Sequence, residues 1–207
     1  MALRADAERN RQAILLAARK AFAAHGLQAP LDEIAGRAGV GNATLYRRFP
    51  DRCALVEAVF AERMADYAEA ARRAAAAGNP WTGLVGFVTE LCRMQAEDQG
   101  LSELLTTALF DGSECLAKLR RDALADLEKT IAHAQDAGVL RADFAHQDVV
   151  VILMANAGLV RRTRDHAPGA WERHLAFVLA GLRADAAADA PPPPGVDEIE
   201  AAMRAER

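Results

Sequence analysis

The most constraining feature of this sequence is the stretch at residues 31–52, which reads LDEIAGRAGVGNATLYRRFPDR. Its apolar residues at 31, 34, 35 and 38 recur at the spacing of one helix face, and Gly39 follows where a left-handed helix stop is expected. Val40 is predicted to fill the corner between two helices. Gly41 and Asn42, which both tolerate positive φ, are predicted to carry the chain through a tight turn.

A second short helix is predicted to begin near Ala43 or Thr44 and to end at Pro50. Leu45 and Phe49 lie one turn apart on it and are expected to face inward. Two short helices joined by a Gly-containing turn form a helix-turn-helix. The second helix is too short to be stable alone, so it must be held against a core. Phe22, on a longer helix that comes before this motif in the chain, is expected to contribute to that core.

The outward face of this second helix carries groups suited to nucleic acid. Guanidinium groups match guanine edges and phosphates, and short hydroxyls reach phosphate oxygens or bases. The candidate DNA-contacting residues are Asn42, Ala43, Thr44, Tyr46, Arg47, Arg48, Arg52, Arg37 and Arg4. Simpler alternatives are a solvated surface for the arginines, a disordered terminus around Arg4, and packing of the Tyr46 ring on the local core.

Three short motifs in this region resemble the DNA-binding signature of the TetR family of bacterial transcriptional regulators. They are Ala38-Gly39-Val40, Thr44-Leu45-Tyr46 and Phe49-Pro50-Asp51-Arg52, and the resemblance covers roughly residues 10–60. It implies an all-helical homodimer with an N-terminal three-helix head on double-stranded DNA, and the three unpaired cysteines predict a cytoplasmic location. It also implies a C-terminal domain that dimerises and holds a small-molecule inducer, so that the protein is expected to repress a palindromic operator.

Charge and composition agree with an all-α protein that has a basic head. Residues 1–55 hold nine Lys or Arg and five Asp or Glu, a balance of +4, whereas the remainder holds 16 and 24, a balance of −8. This asymmetry is typical of a head that binds nucleic acid and a body that does not. Scarce β-branched runs and abundant Ala and Leu favour helix over sheet.

The predicted organisation is a DNA-binding domain at residues 1–52, a regulatory and dimerisation domain at 53–188, and a Pro-rich, disordered tail at 189–207. A first helix is expected from about residue 6 or 8 to His25. A long helix over 52–77 should link head and body, and further helices are expected over 81–98, 101–110 and 113–137. Gly100 is read as a helix stop, and Ser113 and Asp143 as helix caps.

Apolar residues at helical spacing in the body supply candidates for a ligand pocket and for a dimer seam. The pocket candidates are Met64, Tyr67, Phe87, Leu91, Met94, Leu105, Leu109, Leu127, Met154 and Asn156, with Gln95 and Thr106 as polar possibilities. The seam candidates lie on two helices, one that contains the run 149–154, apolar all round, and the last long helix. They are Val150, Met154, Ala157, Trp171, Leu175, Val178, Leu179 and Leu182. Burial of both helices in a monomer core is the alternative.

Other classes of protein have weaker support in the sequence. No metal site or cofactor is predicted, because the five histidines lack zinc-ligand spacing and the three cysteines show no pairing. No membrane segment is expected, because the longest aliphatic run is far too short to span a bilayer. An enzyme using Cys92 or Cys115 with a distant histidine, and an adaptor acting through its Pro-rich tail, remain alternatives. The tail is also given a second reading, as a segment docked on the body.

Overall fold

The computed structural model describes residues 2–107, 114–186 and 189–204, and these ranges contain no β-strand. The helices are α1 Ala2–His25, α2 Leu31–Arg37, α3 Asn42–Arg48, α4 Arg52–Ala75, α5 Pro80–Glu97, α6 Gln99–Thr106, α7 Glu114–Asp136, α8 His146–Thr163, α9 Ala170–Gly181 and α10 Val196–Arg204. The predicted fold class, with its three-helix N-terminal unit and helical body, is therefore confirmed. Ser113 and Leu109 lie outside the described residues.

Local signals in the sequence set most helix boundaries. Gly26 and Gly39 adopt φ values of 75° and 69°, which end α1 and α2 without the steric penalty of a Cβ. Asp51 accepts a hydrogen bond from the Ala54 amide at the start of α4, and Asn79 accepts one from the Thr82 amide at the start of α5. These side chains satisfy amide groups that have no partner within the helix.

Four local predictions were wrong. The first helix begins earlier than expected, at Ala2. Gly41 has φ −74° and Asn42 is helical, so the turn uses positive φ only at Gly39. Asp143 does not cap α8: it binds Arg141, and Asp148 accepts from the Ala145 amide instead. The fourth concerns Gly100.

Gly100 lies inside α6 and does not stop a helix. The break between α5 and α6 is made by Asp98, which accepts a hydrogen bond from the Leu101 amide. A Cβ at Gly100 would lie 2.8 Å from the Phe60 ring and 3.0 Å from Phe22 Cβ. Glycine is therefore needed here because α6 approaches α1 and α4 closely, where the head meets the body.

The head and the body share one continuous core. Phe22 of α1 and Phe60 of α4 stack with ring centroids 6.1 Å apart, and both rings are buried. Leu55 near the start of α4 is fully buried, and the later turns of α4 pack against α5 and α7. The predicted mechanical role of this long helix, joining head to body, is consistent with these contacts.

Part of the tail, which the sequence predicts to be disordered over residues 189–207, is helical. Residues Val196–Arg204 form α10, which packs on α8 with Ile199 and Met203 half-buried. This arrangement corresponds to the alternative reading, in which the tail docks on the body. Within the described ranges, no helix is long and apolar enough to cross a membrane.

Candidate nucleic-acid interface and ligand cavity

The recognition element of the head is the seven-residue α3, held by two buried anchors. Leu45 and Phe49 are 1% and 4% exposed and join the same core as Ile34 of α2. The turn before α3 is fixed by a 3.0 Å hydrogen bond from the Val40 amide to the Ala35 carbonyl. These contacts give α3 the rigidity that its length alone does not provide.

The outward face of α3 presents the polar groups that the sequence suggested. Asn42, Ala43, Arg47 and Arg48 are exposed, and Thr44 is half-buried. Tyr46 is 50% exposed, so its ring does not belong to the core and its phenol can reach a partner. In the described ranges, neither Arg47 nor Arg48 makes an ion pair, so both guanidinium groups are available to an anion.

Two further candidates for DNA contacts, Arg37 and Arg4, do not belong to α3. Arg37 is exposed on α2 and stands 3.8 Å from the Glu33 carboxylate, a weak surface pair that a phosphate can displace. The Arg4 side chain lies outside the described side chains. Arg37 therefore stays a candidate for a backbone contact.

Arg52 is engaged by the protein itself. Its Nη1 donates to the carbonyl oxygens of Leu27 and Ala29 at 2.6 and 2.7 Å. The amide of Leu27 in turn donates to Glu103 Oε2 at 2.8 Å, so one peptide segment is held from both sides. We call Leu27, Ala29, Arg52 and Glu103 the joint, because it ties the α1–α2 loop to α4 and to α6 of the body.

The joint gives Arg52 a structural role and adds a residue that sequence reasoning missed. Both of the Arg52 hydrogen bonds use Nη1, so they orient Arg52 towards the α1–α2 loop, and the predicted phosphate contact of Arg52 stays a prediction. Glu103 was not singled out, although a lone carboxylate among the leucines of α6 was a usable signal. It also crowds Gly26, where a Cβ would lie 2.2 Å from Glu103 Oε1.

A cavity with a volume of about 500 Å³ adjoins the joint. Its walls come from α5, α6, α8, α10 and the loop after α1. The lining residues are Gln28, Gln95, Gln99, Ser102, Glu103, Thr106, Thr107, Met154, Ala157, Val160, Arg161, Arg164, Ala202 and Met203. This volume lies in the range of about 300–1,000 Å³ found for ligand sites.

Most of the apolar pocket candidates belong to the core and do not line this cavity. Met154, Gln95 and Thr106 do line it. Met64, Tyr67, Phe87, Leu91, Met94, Leu105 and Leu127 instead join the continuous core. Tyr67 packs with its ring centroid 6.1 Å from that of Phe87, and burial raises the pKa of its phenol. Asn156 is buried behind the wall and supports Gln95.

Family models match both the head and the body of this chain. The model for the transcriptional regulator SbtR-like C-terminal domain matches residues 79–184, just over half of the chain. The chain belongs to the TetR family. The model for the N-terminal domain, described as bacterial regulatory proteins of the tetR family, matches residues 14–59.

Solved structures of transcriptional regulators resemble this chain over most of its length. A TetR regulator from Mycobacterium vanbaalenii is 38% identical, with 87% of this chain and 99% of that chain covered and a TM-score of 0.47. The regulator SCO0520 from Streptomyces coelicolor is 31% identical, covering 84% and 98%, with a TM-score of 0.51. FadR from Bacillus subtilis, solved with stearoyl-CoA, is 17% identical, covering 82% and 97%, with a TM-score of 0.61. A comparison with curated proteins finds no match.

Membership of the TetR family makes this chain a transcriptional regulator with a DNA-binding helix-turn-helix at its N-terminus. The family is one of regulators and not of enzymes. No cluster of three or more His, Cys, Asp or Glu suited to a metal ion occurs among the residues that the structure describes.

The helices expected to form the TetR-family dimer seam are only partly covered by their own chain. Trp171 and Leu175, both seam candidates, are buried in the core of this chain. Val150, Val178, Leu179 and Leu182 are half-buried, and Met154 and Ala157 line the cavity. Phe177 and Val151, which were not named as candidates, are the most exposed large apolar residues of α9 and α8, at 63% and 43%.

Proposed function

We propose that this TetR-family regulator represses transcription in the cytoplasm as a homodimer on a palindromic operator, and that a small molecule in the C-terminal domain releases it. The observation that carries the proposal is the rigid α3, with Leu45 and Phe49 buried beneath it and Tyr46, Arg47 and Arg48 on its open side. A braced helix with free cationic groups suits the major groove, which admits an α-helix.

Within this proposal the residues of α3 divide between two tasks. Thr44 and Tyr46 position the helix on phosphates, and Arg47 and Arg48, with Asn42 or Ala43, contact bases or set the register. Arg37 adds a backbone contact from α2. Arg52 is assigned to the joint, where it orients the head without touching DNA.

Dimerisation is supported by the apolar surface that α8 and α9 leave open. Phe177 and Val151 expose large apolar side chains on two neighbouring helices, and Val150 and Val178 are only half-buried. Two such helices from each of two chains make a four-helix seam on a two-fold axis. The two α3 helices of that dimer enter successive major grooves about 34–36 Å apart.

Ligand response is supported by the position of the cavity beside the joint. Glu103 belongs both to the cavity wall and to the hydrogen bond that holds the Leu27 amide. A ligand that binds one arrangement of this wall better than the other shifts the spacing of the heads. The expected coupling is about 1–3 kcal/mol between ligand and operator.

The test is the salt dependence of DNA binding by the Arg47→Ala/Arg48→Ala double variant. It is expected to bind duplex DNA more weakly and with a flatter salt dependence, because two cations are removed from the face that lies against the DNA, and to unfold at the same temperature as the wild type. The control is Arg72→Ala/Arg73→Ala at the far end of α4, which removes the same charge away from the head. Undiminished affinity in the first variant, or equally weakened binding in both, would overturn the proposed role of α3.

A further inference from the structure

The wall of the cavity holds a buried amide donor that no described residue satisfies. Gln95 is 0% exposed, and its Nε2 has no hydrogen-bond partner among the residues that the structure describes. Its orientation is fixed by Asn156, whose Nδ2 donates to Gln95 Oε1 at 2.9 Å and to the Cys92 carbonyl at 3.3 Å. Because a carbonyl only accepts, the amide nitrogen of Asn156 must lie there, and Gln95 is left with its nitrogen free.

An unsatisfied buried donor costs about 1–3 kcal/mol, so its presence calls for an acceptor supplied from outside the chain. Gln95 belongs to the wall of the cavity, so an acceptor that fills the cavity lies next to this amide. An oxygen atom of a ligand is the simplest match for this amide.

Two cationic side chains also line the cavity. Arg161 and Arg164 stand one turn apart at the C-terminal end of α8, and both are exposed. Arg164 makes only a 3.5 Å contact with Gln99, and neither arginine pairs with an acidic side chain in the described ranges. The acid of the wall, Glu103, already accepts from the Leu27 amide and from Gln99.

Apolar side chains of α8 and of the tail form another part of the lining. Met154, Ala157 and Val160 follow one face of α8, and Met203 of α10 adds a side chain from the tail. The cavity thus combines an arginine pair, an apolar strip and a buried amide donor. Arginine forks bind carboxylates with two parallel hydrogen bonds.

We propose that this cavity binds a small organic acid with a further oxygen atom at the end opposite its carboxylate. The carboxylate binds Arg161 and Arg164, the apolar body lies along α8, and the further oxygen accepts a hydrogen bond from Gln95 Nε2. The inference rests on the proposed ligand response and names the class of ligand for that site. The tail takes part, because Met203 and Ala202 form one edge of the site.

Three probes of equal chain length test the proposal by isothermal titration calorimetry of the full-length protein without DNA. They are 10-hydroxydecanoate, decanoate, which lacks the terminal hydroxyl group, and 1,10-decanediol, which lacks the charged carboxylate. The hydroxy acid is expected to bind one site per chain with Kd below about 1 mM, and each of the other two about tenfold more weakly. Arg161→Gln/Arg164→Gln should abolish the preference for the hydroxy acid over the diol, while Arg72→Gln/Arg73→Gln should keep it.

The proposal is overturned if the hydroxy acid shows no saturable binding, or if it binds no more tightly than the diol or than decanoate. It is also overturned if the Arg161→Gln/Arg164→Gln variant still prefers the hydroxy acid over the diol. Because no DNA is present, such a failure leaves the salt-dependence test of α3 untouched. If the salt-dependence test failed while the hydroxy acid still bound, only the proposed role of α3 in DNA binding would be refuted.

Discussion

The assignment of Arg52 to the joint leads to an expectation that separates it from the arginines of α3. Its Nη1 holds the Leu27 and Ala29 carbonyls at 2.6 and 2.7 Å. A hydrogen bond with a charged partner contributes about 1.5–3 kcal/mol. Because the two bonds share one nitrogen on a half-buried side chain, we expect Arg52→Ala to lower the unfolding free energy by about 2–3 kcal/mol, less than their sum.

That change corresponds to a fall in Tm of about 4–12 °C, using about 2–4 °C per kcal/mol for a chain of this size. The assay is urea unfolding followed by circular dichroism. Arg48→Ala serves as the comparison, because Arg48 is fully on the surface and should leave the unfolding free energy within about 0.5 kcal/mol of the wild type.

DNA binding supplies the second half of this experiment. Fluorescence anisotropy with a random duplex of roughly 30 base pairs, long enough for two half-sites, gives the salt slope without knowledge of the operator. Arg52→Ala should leave the slope unchanged, whereas Arg48→Ala removes a cation from the face that lies against the DNA and should reduce the slope. If Arg52→Ala kept full stability and lowered the slope, Arg52 would be a phosphate ligand and the joint would be refuted.

Two further predictions concern packing and assembly. Gly83→Ala is expected to destabilise the protein by about 1–3 kcal/mol, because its Cβ would lie 2.6 Å from the Ala74 carbonyl. Gly86→Ala, three residues along α5 with open space around it, should stabilise by about 0.5–1 kcal/mol, so similar urea midpoints for both would contradict the packing described. Phe177→Asp should shift the sedimenting species from two chains to one, while Leu16→Asp, also exposed but in the head, should not; a dimer that survives Phe177→Asp would place the seam elsewhere.

The sequence allowed the head to be predicted closely because its signals are local. The spacing of Leu31, Ile34 and Ala35, the stop at Gly39 and the inward pair of Leu45 and Phe49 each act within one or two turns. Their outcome depends on helix periodicity and backbone sterics, which are readable from one sequence. The exposed arginines of α3 followed from the same periodicity.

The cavity was not predictable in the same way, because a wall residue and a core residue look alike in sequence. Leu91, Met94 and Met154 all lie at helical spacing, yet of these only Met154 lines the cavity. Which side chain borders empty space depends on how α5, α6 and α8 are spaced, and no local pattern encodes that distance.

Long-range contacts explain the other differences. Gly100 resembles a helix stop by its position after Asp98, but the close approach of Phe60 and Phe22 requires a glycine there. Arg52 directly follows the recognition helix and was predicted to contact DNA, whereas its two carbonyl partners lie about two dozen residues earlier in the α1–α2 loop and leave no local pattern in the sequence. Both roles became visible only once the packing was known.

The central claim is that two copies of α3, held at a fixed spacing, contact one duplex. Sedimentation equilibrium of the protein with a fluorescent duplex at low ionic strength measures this directly, as the number of chains carried per DNA. The account predicts two chains per duplex, with no stable complex of one chain. A complex with one chain, or a protein that sediments as a single subunit without the duplex, would contradict it.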